Sequence, residues 1–94
     1  MWMIQSFKDA DTQQLYEGRS NKRWAAIKTV GLRRLDQIQA SINLHDLRVP
    51  PGNRLEALKG NRAGQHSIRI NEQYRICFIW KEDGAHEVEI TDYH

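Results

Sequence analysis

The apolar and small residues between positions 24 and 42 recur at intervals of three and four. They are Trp24, Ile27, Gly31, Leu35, Ile38 and Ile42. This period predicts an amphipathic helix with one apolar face, and Ser20 supplies a residue that can cap its start. A glycine in the middle of a helix costs about 1 kcal/mol relative to alanine, so Gly31 predicts close packing of this helix against a sheet.

A strand and a short helix are predicted before this amphipathic helix. Residues 2–7 alternate loosely between apolar and polar, which predicts a first strand. Asp9 or Asp11 can cap a helix that runs to Tyr16, and Gly18 can end it in the left-handed conformation. Residues 43–56 are predicted to form a loop, because Pro50-Pro51-Gly52 is incompatible with a regular helix. Leu47 and Leu55 are expected to anchor this loop to the core.

Three further strands are predicted at residues 66–70, 74–80 and 85–93. The connections between them are so short that neighbouring strands must be antiparallel. The run at 74–80 is apolar on both faces apart from Arg75, which indicates a central strand that is covered on both sides. The sequence therefore predicts a single α+β domain over residues 1–94, with an N-terminal strand, two helices on one side, and a three-stranded antiparallel meander.

The net charge of +2 conceals an uneven distribution of charged residues. Between positions 19 and 34 there are six basic residues and no acidic one, whereas positions 82 to 92 hold five acids and neither lysine nor arginine. This separation predicts a basic face suited to a polyanion, or alternatively an ordinary solvated helix face. Cys77 is the only cysteine, so the chain forms no internal disulfide, and its apolar neighbours predict a core position.

Targeting and membrane signals are absent from the sequence. No apolar run approaches the roughly 20 residues of a membrane span, and the N-terminus lacks the basic start and cleavage site of a signal peptide. We therefore expect a cytoplasmic protein that does not associate with a membrane.

Arg75 is the residue that the core pattern does not explain, because a guanidinium in a buried strand needs an anionic or polar partner. A three-residue loop in the first hairpin would place Arg69 directly opposite Arg75. Two like charges in that position destabilise a sheet unless an anion lies between them. The alternative is that one of the arginines pairs with Glu87 or Glu89.

The loop of the second hairpin decides what lies beside Arg75. A four-residue loop would place Trp80 opposite Ala85 and Arg75 opposite Ile90, whereas a three-residue loop with a bulge would shift the pairing by one. The first register brings Asp92 and His94 to the face of Arg75, and the second brings Tyr93 there. In both registers the C-terminal residues and Arg75 lie at one end of the sheet. Lys59 and Arg62 precede the first strand of this meander and are expected to reach the same end.

These residue types suit RNA cleavage without a metal ion. A base removes the proton of a ribose 2′-hydroxyl, cations stabilise the charge on the phosphorus centre, and an acid protonates the leaving 5′-oxygen. His94 fits the proton transfers, since the pKa of a free histidine is about 6.5. The other histidines lack the spacing of metal ligands, so neither a metal nor another cofactor is expected.

Three blocks of the sequence, MIQSF, LEALKGNRAGQHSIRINEQYRICFIW and EITDYH, resemble the HigB-type host-inhibition toxins, or plasmid-maintenance killer proteins, of the RelE/ParE superfamily. The resemblance implies a microbial-RNase-like fold and an endonuclease that cleaves mRNA in the A site of the 30S ribosomal subunit, which inhibits translation. It also implies a cognate HigA-type antitoxin with a helix-turn-helix fold, through which the toxin would reach operator DNA.

By this resemblance, Lys59 lies near the scissile phosphate, Arg75 matches the family's strand arginine, and Asp92, Tyr93 and His94 match the C-terminal residues for acid–base catalysis and base stacking. The resemblance and the charge pattern add two further groups. The expected RNA or phosphate contacts are Glu56, Arg62 and Arg69. The expected ribosome-facing residues are Arg23, Lys28, Arg33 and Arg34. Some family members have histidine where this chain has Glu56, and a carboxylate cannot be the cationic phosphate contact that a protonated histidine provides.

Two other functions are compatible with the same fold. Relatives of this shape resemble gyrase poisons that bind a protein target without cleaving RNA, although such a binder has no need of three titratable or aromatic side chains at its end. The chain would otherwise be a degenerate toxin that chiefly binds its antitoxin, and the Trp24-bearing helix would then be the antitoxin surface.

Overall fold

Four antiparallel strands form the sheet, and they are adjacent in chain order. The computed structural model describes residues 3–19 and 21–92. The strands are β1 (Glu56–Ala57), β2 (His66–Arg69), β3 (Tyr74–Lys81) and β4 (Gly84–Asp92). The predicted meander is confirmed as β2, β3 and β4. Strand β1 was not predicted, because it has only two residues, both exposed, and so carries no apolar alternation.

The first hairpin has the predicted register, with Arg69 opposite Arg75. In the second hairpin Trp80 lies opposite Ala85, as the four-residue loop predicts, but Arg75 lies opposite Thr91 rather than Ile90. A β-bulge between Cys77 and Ile79 causes this shift. Strand β4 accommodates it at Glu87, whose φ of 50° lies in the left-handed region. The pairing next to the turn is therefore the one that the four-residue loop predicts, whereas the pairing beyond the bulge is shifted by one residue.

Opposite residues of paired strands share a face, so this register divides the sheet into two sides. On the helix side, Ile68, Ile76 and Ile90 lie in one row and are at most 2% exposed. The side chains on the other side are predominantly polar or charged. The core consequently lies between the helices and one face of the sheet, as expected for an α+β domain of two layers.

Helix α1 (Ala10–Tyr16) begins and ends where the sequence predicts. Asp9 is the N-cap, and its Oδ1 accepts a hydrogen bond from the Thr12 amide at 2.8 Å. Gly18 follows the helix with φ of 82°. Thr12 also fixes the helix to the sheet, because its Oγ1 accepts a hydrogen bond from the Ile90 amide at 3.0 Å.

The single helix expected from Ser20 to Ile42 is instead a 3₁₀ helix (Lys22–Ile27) followed by α2 (Lys28–Ala40). Ser20 lies outside the described residues, and the Asn21 side chain caps the 3₁₀ helix by accepting from the Arg23 amide. Trp24, Ile27, Gly31, Leu35 and Ile38 are buried as predicted. Ile42 was wrongly placed on the apolar face: it is 79% exposed, because α2 ends at Ala40 and the next residue is extended.

Gly31 allows helix α2 to approach helix α1. A Cβ at this position would lie 3.2 Å from Leu15 Cδ2, and 3.8 Å from Cδ1 of Ile70, the residue just after β2. The prediction of close packing is therefore confirmed, but the closer neighbour is the other helix and not the sheet.

The N-terminal segment lies beside β4 as an irregular extended chain. It forms parallel bridges at Ile4 with Ala85 and at Phe7 with Val88, so the regular strand expected for residues 2–7 is wrong. Trp2 lies outside the described residues. In the loop 43–56, two 3₁₀ helices (Leu44–Arg48 and Pro51–Asn53) precede β1. Leu47 is 1% exposed within this loop and Leu55 packs against the core, as predicted.

Nowhere in residues 3–19 and 21–92 does a helix combine the length and apolar character that crossing a bilayer requires.

Candidate nucleic-acid interface

The side of the sheet that faces away from the helices presents a row of polar and charged residues, which we call the outer face. Strand register places on it Glu56, Ser67, Arg69, Arg75, Cys77, Glu89 and Thr91. The predicted phosphate contacts Glu56 and Arg69 therefore lie on the same face as Arg75.

Arg75 is held in place on the outer face by hydrogen bonds. The residue is only 9% exposed. Its Nε donates to Ser67 Oγ at 2.7 Å, and one terminal nitrogen donates to the Arg54 carbonyl at 2.7 Å and to the Ser67 carbonyl at 3.4 Å. The Ser67 hydroxyl and the two carbonyls are thus the polar partners that a buried guanidinium needs. Glu89 lies near two other cations: its carboxylate accepts from Arg62 at 2.8 Å and lies 3.8 Å from the Lys8 ammonium.

Arg69 adds a second guanidinium directly opposite Arg75. Its Nε donates to the Asn71 carbonyl at 3.1 Å, which folds the side chain back over the turn between β2 and β3. An open cleft of about 370 Å³ lies here and is lined by Arg54, Arg69, Asn71, Glu72 and Arg75. Three of these five residues carry a positive charge and one carries a negative charge, so the cleft favours an anion.

Lys59 and Arg62 lie at the other end of β2. They belong to the loop that leads into β2 at His66. Arg69, which lies opposite Arg75, is the last residue of β2. Arg62 donates to Glu89 at 2.8 Å and to Gln65 at 3.0 Å. The expectation that this loop shares the end of the sheet with Arg75 is therefore wrong, although Arg62 does extend over the outer face. Lys59 is exposed. Glu56 on β1 lies opposite Ser67 of β2 in the strand register.

Asp92 lies on the helix side of the sheet. It is opposite Tyr74, and its Oδ2 accepts a hydrogen bond from Gln73 Nε2 at 3.0 Å. The register that would bring Asp92 to the face of Arg75 is thus wrong, because the bulge shifts the end of β4 by one residue. Asp92 and Arg75 do lie at the same end of the sheet, as expected. Tyr93 and His94 lie outside the described residues, so their predicted roles remain expectations.

The four predicted ribosome-facing residues fall into two pairs. Lys28 and Arg33 are exposed on helix α2. Arg23 instead pairs with Asp11 at 3.0 Å and lies 4.4 Å above the Trp24 ring. Arg34 is half-buried, and its Nε donates to the Arg69 carbonyl at 3.0 Å. Burial and the neighbouring Arg33 lower the pKa of Arg34.

Cys77 is fully buried on the outer face, as its apolar neighbours predict. Burial raises the pKa of its thiol, an effect that the Arg62 charge and a hydrogen bond with Thr91 reduce. A thiol of this kind is a poor nucleophile at neutral pH. Within the described ranges, no cluster of three or more histidine, cysteine, aspartate or glutamate side chains is arranged to hold a metal ion.

Sequence reasoning missed Ser67 and Arg54, which both contact Arg75. Ser67 lies between predicted strand residues and carries no charge, so nothing in the pattern distinguishes it. Arg54 follows the Pro50-Pro51-Gly52 turn and adopts a left-handed backbone with φ of 47°. The turn residues indicate a change of chain direction here, but not that the Arg54 carbonyl would meet a guanidinium from β3.

Three comparisons place these features among known proteins. A family model described as the RelE-like toxin of the type II toxin-antitoxin system HigB matches residues 5–94. Toxin HigB-1 of Vibrio cholerae serotype O1 is 42% identical over 85 residues, which span 88% of this chain and 90% of that protein. An uncharacterized protein of Haemophilus influenzae is 51% identical over 49 residues, or 52% of this chain and 46% of that protein.

A solved structure described as the YoeB-YefM complex from Staphylococcus aureus contains a chain with a TM-score of 0.61 to this one. The superposition covers 97% of both chains at 16% identity, and a heterotetrameric complex of the same toxin and antitoxin matches equally well. At this level of identity the likeness demonstrates a shared fold.

Proposed function

Because this chain belongs to the HigB-like family of RelE-like toxins of type II toxin–antitoxin systems, we propose that it is a metal-independent endoribonuclease that cleaves mRNA on the ribosome. The observation that carries the proposal is the fixed position of Arg75. A buried guanidinium held at 2.7 Å by both Ser67 and Arg54 needs little reorganisation when negative charge develops beside it. The polar and charged side chains around it offer RNA hydrogen-bonding and ionic partners.

The proposed reaction is an attack of the ribose 2′-oxygen on the adjacent phosphorus. The bond from the 2′-oxygen to phosphorus forms as the bond to the 5′-oxygen breaks. A base takes the 2′-hydroxyl proton and an acid gives a proton to the leaving oxygen, which leaves a 2′,3′-cyclic phosphate and a free 5′-hydroxyl. His94 is assigned to these proton transfers, because an imidazole exchanges protons near neutral pH. Arg75 and Lys59 are assigned the stabilisation of charge on the phosphate, and Tyr93 the stacking on a base.

The carboxylate that assists proton transfer is better sought at Glu56 than at Asp92. Glu56 pairs with Ser67 on the outer face, whereas Asp92 lies on the helix side and contacts Gln73. Glu56 replaces the histidine of other family members as a proton acceptor, although not as a cation. Asp92 is accordingly assigned a structural role at the end of β4.

The test is cleavage of mRNA in a reconstituted bacterial translation system, with and without ribosomes. We expect cleavage by the wild type only when ribosomes are present. His94→Ala should abolish it, whereas His45→Ala, at an exposed histidine in the 3₁₀ helix Leu44–Arg48, should leave it unchanged. The Glu56→Gln and Asp92→Asn pair distinguishes the two carboxylates, and only Glu56→Gln should slow cleavage.

Two results would contradict this function. Cleavage by a folded His94→Ala variant at the wild-type rate would remove the catalytic role of His94. A folded wild type that arrests growth without cleaving mRNA would indicate a protein target, and inhibition of DNA supercoiling by gyrase would then be measured.

We also propose that an antitoxin partner of the HigA type silences this toxin and carries it to operator DNA. The family description and the complex formed by the structural relative support such a partner. Adding a purified antitoxin before the cleavage assay should prevent cleavage of the mRNA once the two proteins reach a fixed ratio. Undiminished cleavage in the presence of excess antitoxin would contradict the assignment.

A further inference from the structure

We infer that the cleft between Arg54 and Arg69 binds a backbone phosphate of single-stranded RNA next to the one that is cleaved. This inference deepens the proposed function and rests on it for the identity of the ligand. The cleft lies on the outer face at the β2–β3 turn, where Arg54, Arg69 and Arg75 meet. Lys59 lies at the other end of β2, so a strand of RNA that contacts both ends must place more than one phosphate along the outer face.

Charge is the first reason to expect an anion in the cleft. Arg69 and Arg75 are directly opposite in neighbouring strands, an arrangement that costs free energy through repulsion of like charges. Arg54 brings a third guanidinium to the same cleft, and among the described residues of the lining Glu72 is the only carboxylate. A phosphate bound between Arg54 and Arg69 would offset this repulsion, while Arg75 faces the phosphate that is cleaved. A planar guanidinium fits the oxygens of a phosphate in pairs.

The second reason is that the cleft is built from fixed parts. Arg54 adopts a left-handed backbone, which is uncommon for a residue with a side chain of this size. Its amide donates to the Pro51 carbonyl at 3.1 Å, and its own carbonyl accepts from Arg75 at 2.7 Å. Arg69 is fixed in a similar way, by its own bond to Asn71 and by the Arg34 bond to its carbonyl. The Arg54 backbone and the Arg69 guanidinium are thus positioned before a ligand arrives, which reduces the entropy lost on binding.

The composition of the cleft favours RNA over a protein ligand. The five lining residues that the structure describes are all polar or charged, and none of them offers the apolar anchor that usually forms the centre of a protein interface. Contacts to phosphate are also independent of the RNA sequence, which suits an enzyme that must hold different mRNAs in one orientation.

The experiment measures binding of a short 2′-O-methyl oligoribonucleotide by fluorescence anisotropy over a range of salt concentrations, without ribosomes. The 2′-O-methyl group prevents cleavage, so affinity is separated from catalysis. Arg54→Asn removes the charge while keeping a residue that tolerates the left-handed backbone. Glu72→Gln removes the negative charge of the cleft, and Arg48→Gln removes an exposed arginine that does not line the cleft.

We expect Arg54→Asn to bind about tenfold more weakly, the loss of one charge-assisted hydrogen bond to phosphate. The slope of log K against log salt should become shallower by about 0.7, the value for one phosphate contact on a single strand. Glu72→Gln should bind more tightly, and Arg48→Gln should match the wild type. Thermal unfolding of each variant checks that the fold is retained.

Three results would overturn the inference. They are no binding by the wild type at low salt, equal affinities for Arg54→Asn and Arg48→Gln, and a loss of antitoxin affinity in Arg54→Asn without a loss of oligonucleotide affinity. The last result would assign the cleft to a protein ligand. The binding experiment uses an oligonucleotide that cannot be cleaved, so it is independent of the cleavage assay. A negative binding result would overturn the phosphate site but not ribosome-dependent cleavage. A wild type that fails to cleave mRNA would overturn the proposed function but not a measured binding of the oligonucleotide.

Discussion

The Nε of Arg75 donates to the Oγ of Ser67 at 2.7 Å, and both residues are buried on the outer face of the sheet. Ser67 is a neutral acceptor, so this bond fixes the guanidinium without cancelling its charge. A carboxylate at the same position would stabilise the cation equally well but would oppose the binding of a phosphate. Serine therefore combines a satisfied hydrogen bond with a positive potential at the surface.

Ser67→Ala is expected to impair both stability and function. It removes an acceptor from a buried charged donor, which costs about 1–3 kcal/mol in the free energy of unfolding, and it releases the guanidinium from its fixed position. Urea unfolding and mRNA cleavage would be measured on the same preparation. Ser41→Ala is the matched control, because Ser41 is also buried but its hydroxyl donates to Gln37 at the end of α2. It should lower stability only, and equal loss of cleavage in both folded variants would contradict the role of Ser67.

Gly84→Ala is expected to disrupt the contact between β4 and the N-terminal segment. A Cβ at Gly84 would lie 1.9 Å from the Met3 carbonyl oxygen, and φ of 125° already disfavours any side chain. The segment must move away, so we expect a loss of at least about 3 kcal/mol in the free energy of unfolding. Gly52→Ala is the control, since nothing lies within 4 Å of its Cβ. Similar melting temperatures for the two variants would contradict the close approach of Met3.

Asp46 should contribute a pH-dependent part of the stability. Its carboxylate accepts from the Ile42 and Asn43 amides at 2.9 Å and 3.1 Å. These backbone hydrogen bonds hold the pKa of Asp46 below its ordinary value of 3.8. The stabilisation is therefore fully present above pH 3.8 and is lost as the pH falls through the lower pKa of the folded state.

Asp46→Asn tests this linkage, because the amide keeps an acceptor oxygen but does not titrate. The free energy of unfolding would be measured from about pH 6 to about pH 3 for both proteins. The wild type should lose more stability over this interval than the variant. An equal loss of unfolding free energy in the two proteins would contradict a pH-dependent contribution of the Asp46 carboxylate to stability.

Cys77 should resist alkylation in the native state. The thiol is fully buried and burial raises its pKa, so both access and thiolate formation are suppressed. Reaction with iodoacetamide should be slow in buffer and should accelerate with urea in parallel with unfolding. Labelling in buffer at the rate measured in urea would contradict the burial of this side chain.

The exposed cations of the α2 surface should contribute to ribosome binding. A double variant with Lys28→Gln and Arg33→Gln is expected to bind ribosomes more weakly, and the difference should shrink as the salt concentration rises. Arg34 is left unchanged, because its bond to the Arg69 carbonyl gives it a structural role. A second double variant with Arg48→Gln and Lys81→Gln removes the same charge elsewhere on the surface. Equal binding by the two double variants would exclude α2 as a specific docking surface.

The pattern of apolar and polar residues along the chain was enough to predict helices and strands in which buried side chains recur at a regular interval. The buried positions of α2 and the pairing of Arg69 with Arg75 were predicted correctly, because helix periodicity and short hairpin loops are properties of adjacent residues. The pairing of Arg75 with Ile90 was wrong. The bulge at Glu87 that shifts it depends on the N-terminal segment, whose Ser6 hydroxyl accepts from the Glu87 amide at 2.9 Å across the fold.

The sequence by itself determined the α+β layers, the antiparallel hairpins and the charged residues available for chemistry. Only the tertiary structure decided that Asp92 lies on the helix side, that Ser67 and the Arg54 carbonyl hold Arg75, and that Arg54 and Arg69 line one cationic cleft. The physical reason is the range of the interactions. Periodicity and turn chemistry act over a few residues, whereas these contacts join segments that become neighbours only once the sheet has formed with its bulge.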